Sequence, residues 1–243
     1  MITLFIKEIN TFFSSLIGYL ALVVFLLTTG LFLWVFPDTN LPDYGYATLE
    51  PLFFTAPWIF MFLIPAITMR SFSEEFKSGT IEILATRPIT DMQIILGKYF
   101  ASLFLVLFAL LPTLVYYFTI YQLGLPSGNI DTGATWGSYI GLLLLGAAFA
   151  AIGIFASSLS SNQIIAFLLA VFLCFLFYQT FDYLSKLNVF YAKLDDFVEQ
   201  IGINAHYESL SRGVIDTRDV VYFGSFITLF LILTRLVVES RKW

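Results

Sequence analysis

The sequence predicts an all-α integral membrane protein. It has six transmembrane helices, an N-terminal interfacial elbow helix, a short cytoplasmic helix between the second and third spans, and short external helices before the last span. Three observations lead to this reading. The 243 residues are 59% hydrophobic and 19% aromatic, and the mean hydropathy is +0.87. Only 12% of residues are charged, against roughly 25% in soluble domains. The apolar residues fall into six runs, each near the ~20 residues needed to cross a bilayer core. A soluble domain of this length has too little interior to hide that much apolar surface.

Residues 2–13, ITLFIKEINTFF, mix Leu4, Phe5, Phe12 and Phe13 with Lys7, Glu8 and Asn10, which suits a helix lying in the membrane interface. The alternative is a tail with some helical content. The next apolar run, Leu16 to Phe36, is longer than a signal-peptide core and is followed by no small-residue cleavage site. The spans are expected at about 15–36, 52–69, 99–121, 136–157, 162–181 and 220–238, forming a single transmembrane domain over 1–243. Pro57 and Pro65 lie in the second span and Pro112 in the third; each removes a backbone donor and favours a kink. The fourth span pairs Gly146 with Ala150 and Ala147 with Ala151, a small-xxx-small spacing that permits close helix packing. That packing serves either a dimer interface or the interior of one subunit.

Between the second and third spans lies a long polar stretch, 69–98. Phe72, Phe76, Ile83 and Leu84 recur at helical spacing, with Glu74, Glu75, Lys77 and Glu82 on the remaining surface. Gly79-Thr80 interrupts that helix, Arg87-Pro88 ends it in a turn, and Thr90-Asp91 caps the next one. Both carboxylates of the Glu74-Glu75 pair are expected on the exposed face. A charged loop joining two spans also needs no function at all. Ile203 to Leu210 reads as a second amphipathic helix, ended by Gly213 and followed by an Asp216-Thr217 cap for the last span.

Lys and Arg set the orientation. Lys7, Arg70, Lys77, Arg87, Lys98, Arg235, Arg241 and Lys242 fall at the termini or in the connections on their side, against Lys186, Lys193, Arg212 and Arg218 opposite. Excess positive charge marks the cytoplasmic side, so both termini and the 70–98 connection are expected there.

Several chemistries are absent from the sequence. There is no GxxxxGK[ST] phosphate loop, HExxH, CxxC or GxSxG. Cys174 and His206 are the sole cysteine and histidine, so no cysteine framework forms and a metal site is disfavoured. Cys174 reads as a small buried hydrophobe. The net charge of −5 is dispersed over separate loops and is no steering signal for nucleic acid. The spans are nearly free of ionisable residues, which argues against a proton-coupled carrier.

The stretch EEFKSGTIEILATRPIT, with IGYL upstream and GVIDTRDVVYF downstream, resembles the membrane permeases of type-2 ABC (ABC-2) exporters. Within that family the chain looks most like the gliding-motility permeases of Bacteroidota, with permeases serving copper-enzyme maturation as the nearest competitor. The resemblance implies that the polar helix is a coupling helix docking on a separate ATP-binding subunit. It would do so through Phe72, Glu74, Glu75, Phe76, Lys77, Gly79, Thr80 and Glu82. It further implies an inner-membrane location, and a second membrane subunit or a second copy of the chain as companion. The chain itself is then no enzyme and carries no cofactor, because ATP is held by the partner subunit. A non-transporting membrane scaffold is the alternative.

Overall fold

The computed structural model describes residues 1–37, 40–81, 89–186 and 195–241. Among them the elements are helical and no strand occurs. Helix α1, Ile2–Phe13, is the amphipathic elbow, and Ser15 caps the first membrane helix, α2, Leu16–Trp34. A single turn, α3 (Leu41–Tyr44), precedes α4, Glu50–Thr68, which runs on through Pro57 and Pro65. The short helix α5, Ser73–Ser78, ends at Gly79 with φ +70°, a left-handed conformation that glycine adopts without a Cβ penalty.

Thr90 and Gln93 form a reciprocal capping box at the start of α6, Asp91–Leu110. The third span then passes through a 3₁₀ turn at Leu111–Thr113, where Pro112 sits, into α7, Leu114–Leu123. The fourth span, α8, is Thr132–Leu159. The fifth is α9, Gln163–Phe175, continued through a π turn at Leu176–Thr180 into α10, Phe181–Ser185. Two short helices follow, α11 (Asp195–Ile201) and α12 (Ile203–Ser211), before the last span, α13, Thr217–Ser240. Six of these segments are long and apolar enough to cross a membrane. Helices thus occur at 2–13, at each of the six apolar runs and at 203–210; α2 is shorter than its run, and the third, fourth and last spans extend past theirs at both ends.

Helix α8 is the spine. It packs against α4, α6, α9, α12 and α13, and 78% of its most apolar window is buried, against 28% for α2 and α13. Its small residues make this possible. A Cβ on Gly146 would stand 2.7 Å from Val106 Cγ1 of α6, and one on Gly141 would stand 2.7 Å from Leu210 Cβ of α12. Gly153 meets Thr68 of α4 in the same way. Ala147, Ala150 and Ala151 are buried alongside. The small-residue stripe is thus consumed inside one chain.

At one end of the bundle α12 folds back onto α8. Ile203, Tyr207 and Leu210 form its buried stripe, and Tyr207 donates to the Phe53 carbonyl at 2.8 Å. Gly213, at φ +83°, lies against the Ala134 backbone. The His206 ring locks α12 to α13: Nδ1 lies 2.7 Å from Asp219 Oδ1, Nε2 lies 3.0 Å from the Gln200 carbonyl, and the ring stacks on Tyr222 at 3.8 Å. Ser209 donates to the other Asp219 oxygen. At the opposite end lie α1, α5 and the C-terminal turn of α13, whose Arg241 donates to the Leu159 carbonyl at 2.5 Å.

Gly146→Leu should overpack the α6 contact and cost about 1–3 kcal/mol, read as a lower thermal midpoint in detergent. An unchanged midpoint with an altered oligomer size would mean that Gly146 lies at an interface between chains instead.

Candidate functional site

The stretch expected to be one polar loop, 70–98, is two things. Its first part is a tight turn and the helix α5; its last part is already the opening turns of α6, which begin at Asp91. Lys98 therefore sits inside a helix, two turns from its start, and its side chain is 0% exposed. This corrects the reading of Lys98 as a loop cation. Of the other sequence-selected residues, Glu82, Ile83, Leu84, Arg87 and Pro88 lie outside the described residues.

An ammonium with no exposed surface needs anionic and carbonyl partners around it. Lys98 Nζ has them: Glu8 Oε1 at 2.8 Å from α1, Glu75 Oε1 at 2.9 Å from α5, and the Ser71 carbonyl at 2.5 Å. The Phe72 ring centroid is 5.1 Å away, within cation–π range. Lys7, half-exposed on the elbow, adds a second cation at 2.8 Å from Glu75 and 3.6 Å from Glu8. Burial alone would lower the Lys7 ammonium, but the Glu75 hydrogen bond and charge, helped by Glu8, raise it above its ordinary 10.5. With the folded value raised, the contribution is present throughout the neutral range and is lost only as pH climbs through that raised value.

Helix α5 is held at two further points. Ser157 of α8 accepts from the backbone N–H groups of Phe72 and Ser73 at 2.9 and 3.2 Å and donates to the Met69 carbonyl at 3.0 Å. It thereby satisfies backbone donors left open where the chain turns from α4 into α5. On the other side the Arg241 guanidinium carbon lies 4.5 Å from the Phe76 ring centroid. Gly97 admits the elbow: a Cβ there would stand 3.2 Å from Leu4 Cδ2.

Of the expected docking residues, Phe72 and Glu75 are buried and occupied by the chain itself. This corrects the expectation that both carboxylates of the Glu74-Glu75 pair face outward. Phe76 is half-buried, and Glu74, Lys77, Gly79 and Thr80 are exposed together. Glu8, Lys98, Ser157 and Arg241 complete the site, and sequence reading missed their roles. The usable signal was the Thr90–Gln93 cap, which starts a helix early enough to carry Lys98 inward. Nothing in the sequence marked Ser157 among the other serines near the end of α8.

At the bundle's other end a cavity of about 530 Å³ is lined by Glu50, Phe53, Asp131, Thr135, Tyr207 and Glu208, among others. Among the described residues no group of three or more His, Cys, Asp or Glu is placed to hold a metal ion.

The cluster separates two adjacent glutamates. Glu75→Lys would set a third ammonium beside Lys7 and Lys98, and breaking such a buried pair costs about 3–5 kcal/mol. Glu74→Lys changes an exposed side chain and should stay within about 0.5 kcal/mol. Thermal unfolding of the two purified variants should show that contrast; equal midpoints would mean the cluster does not hold α1, α5 and α6 together.

A comparison with curated proteins returned no match. A family model described as "ABC-2 family transporter protein" matches residues 39–205. That segment takes in α4, α5, α6, α8 and the turn that seats Lys98, and it covers more than half the chain. The chain belongs to the ABC-2 family of transporter proteins.

Proposed function

We propose that the chain is the membrane-spanning subunit of an ATP-driven ABC exporter, in which α5 couples ATP hydrolysis in a partner subunit to movement of the bundle. Membership of the family makes it a permease component of an ABC transporter and implies an ATP-binding partner in general. The observation that carries the finer reading is the way α5 is held. Its inner residues are fixed to three membrane helices and the elbow through Glu75, Ser157 and Arg241. Its outer residues, Glu74, Lys77, Gly79 and Thr80, form a continuous exposed face. A push on that face reaches α1, α6, α8 and α13 at once, because a short helix tied at several points moves with what it is tied to.

On this reading ATP stays on the partner, and the permease needs no cofactor of its own. The companion in the membrane is a second subunit or a second copy. The excess of Lys and Arg on the α5 side supports a cytoplasmic location for that end and both termini, in an inner membrane. The motif EEFKSGTIEILATRPIT supports a role in gliding motility, because it looks most like the permeases of those complexes.

Two experiments test this. Reversing the exposed pair, Glu74→Lys with Lys77→Glu, keeps the net charge but inverts the pattern. Like charges brought together at a docked face cost several kcal/mol, so binding of the ATP-binding subunit and its stimulated ATPase should both fall by tenfold or more in a variant with wild-type thermal stability. Full binding and motility in that variant would remove α5's outer face from the coupling route. Loss of binding alone, in a system where the wild type moves no solute, would favour a scaffold. For topology, a cysteine at Asn129 should react with an impermeant reagent added outside intact cells and one at Ser78 should not; the reverse result would invert the chain.

A further inference from the structure

Among the described residues at the elbow, three cations, Lys7, Lys98 and Arg70, lie near two carboxylates, Glu75, which is buried, and Glu8, which is half-buried. Each carboxylate meets the lysines through Oε1, while Glu75 Oε2 is buried without a partner. The Arg70 side chain makes no ion pair or hydrogen bond with the described residues, and its Nε is buried without a partner. Glu74, one turn further along, is exposed and does not pair with it. An arginine that only reached up into water would leave its Nε wet; here the inner end of the guanidinium is enclosed and still bare.

Arg70 lines a narrow crevice between the elbow and the membrane helices. Thr11, Ser15, Ser71 and Ser102 belong to its polar lining, and Phe12, Ile17, Ile67 and Leu105 make much of the rest apolar. The crevice holds about 40 Å³, roughly three times the minimum for one water. Ser15 is the N-cap of α2, a helix of 19 residues, so the positive end of that helix faces the same space. Glu8 also borders the crevice, but its charge is taken up by Lys98 at 2.8 Å and Lys7 at 3.6 Å. The elbow presents Ile2 and Ile6 outward, 76% and 51% exposed, as a helix at the lipid interface does. With the elbow lying at a lipid interface, the crevice beside it would open at the depth of the headgroups.

We propose that this crevice is a binding site for a phosphate oxyanion, held by Arg70, with the phosphate of an anionic lipid or free phosphate as the two possible sources. The guanidinium fork matches phosphate oxygens two at a time, and the bound anion gives the bare Arg70 side chain an acceptor. The bound group would wedge between α1 and the start of α2, tying the elbow to the α4–α5 turn. The proposal requires only that the chain spans a membrane, so its failure leaves the transporter reading untouched.

The test uses the full chain in nanodiscs of phosphatidylcholine, alone or with phosphatidylglycerol, and separately with inorganic phosphate added. The readouts are thermal midpoint and lipid retained in native mass spectrometry. The variants are Arg70→Gln, Arg70→Lys, and Arg218→Gln as a control on an exposed cation at the other end of the bundle. Phosphatidylglycerol should raise the midpoint of wild type and Arg218→Gln, with retention about tenfold weaker in Arg70→Gln and intermediate in Arg70→Lys. A rise with inorganic phosphate that is as large and as dependent on Arg70 identifies free phosphate as the occupant. The proposal is overturned if wild type responds to neither, or if Arg70→Gln responds as wild type does. Should Arg70→Gln not fold, the wild-type response and the Arg70→Lys difference decide the matter by the same criteria.

Discussion

A buried ammonium is the constraint from which the architecture of the α5 end follows. Taking an ion of that size out of water costs several kcal/mol even after relaxation, and Lys98 has no exposed side-chain surface at all. The cost is offset only if anionic partners arrive with good geometry, and they arrive from different parts of the chain. Glu8 must come from the elbow, Glu75 from α5, and the Ser71 carbonyl from the turn after α4. Each of these elements is too short or too irregular to hold its position alone. An isolated six-residue helix is far below the length that is stable in water. Lys98 thus acts as the common tether, and Ser157 and Arg241 close the remaining sides.

Helix α8 carries the consequences to the other end. It runs from the neighbourhood of Gly137 and Gly141, against which α12 packs, to Ser157, which holds the start of α5. Those points are about 20 residues apart, or roughly 30 Å along a helix axis. Its glycines bring α4, α6 and α12 into close contact along that length, so it has little freedom to bend independently of them. In the proposed function this matters more than any single bond, because displacement of α5 is applied to the end of a rod that also seats the α12 cap.

Much of this was legible in the sequence, and what was not has physical reasons. The elbow, six spans, the break at Gly79, the Thr90 cap and the 203–210 helix with its Gly213 end all rest on local rules: apolar periodicity, capping side chains and glycine's access to positive φ. Those signals lie within a few residues of the feature they specify. The site is different. Glu8 and Lys98 are 90 positions apart, and Ser157 stands 85 from Phe72. Charge at 98 reads as the edge of a loop until the helix start at Asp91 is set, and the neighbouring carboxylates Glu74 and Glu75 look equivalent. Which of the two faces inward depends on where Lys98 and Lys7 lie, and no local pattern contains that information. His206 shows the same limit: its partners, Asp219 and Tyr222, belong to the next membrane helix.

The two ends of the bundle are fastened by different physics, and the difference bears on which end can move. At the α12 end the contacts are backbone-close: Gly213 on Ala134, Gly141 under Leu210, Ser138 donating to the Ser211 carbonyl at 2.8 Å. Such contacts tolerate little displacement, since dispersion falls away within an ångström. At the α5 end the short Ser157 hydroxyl holds the first turn of α5, and the other fastenings are long side chains, lysine and arginine, reaching across to carboxylates, a carbonyl and a ring. Rotating a lysine or glutamate side chain keeps an ion pair within range while the helices shift beneath it. In the proposed function these side chains would let α5 shift while keeping its charges paired, and Gly79 holds the left-handed conformation after the helix without Cβ strain. The proposed coupling role calls for this combination: a fixed connection to the membrane helices, made in part through bonds that bend before they break.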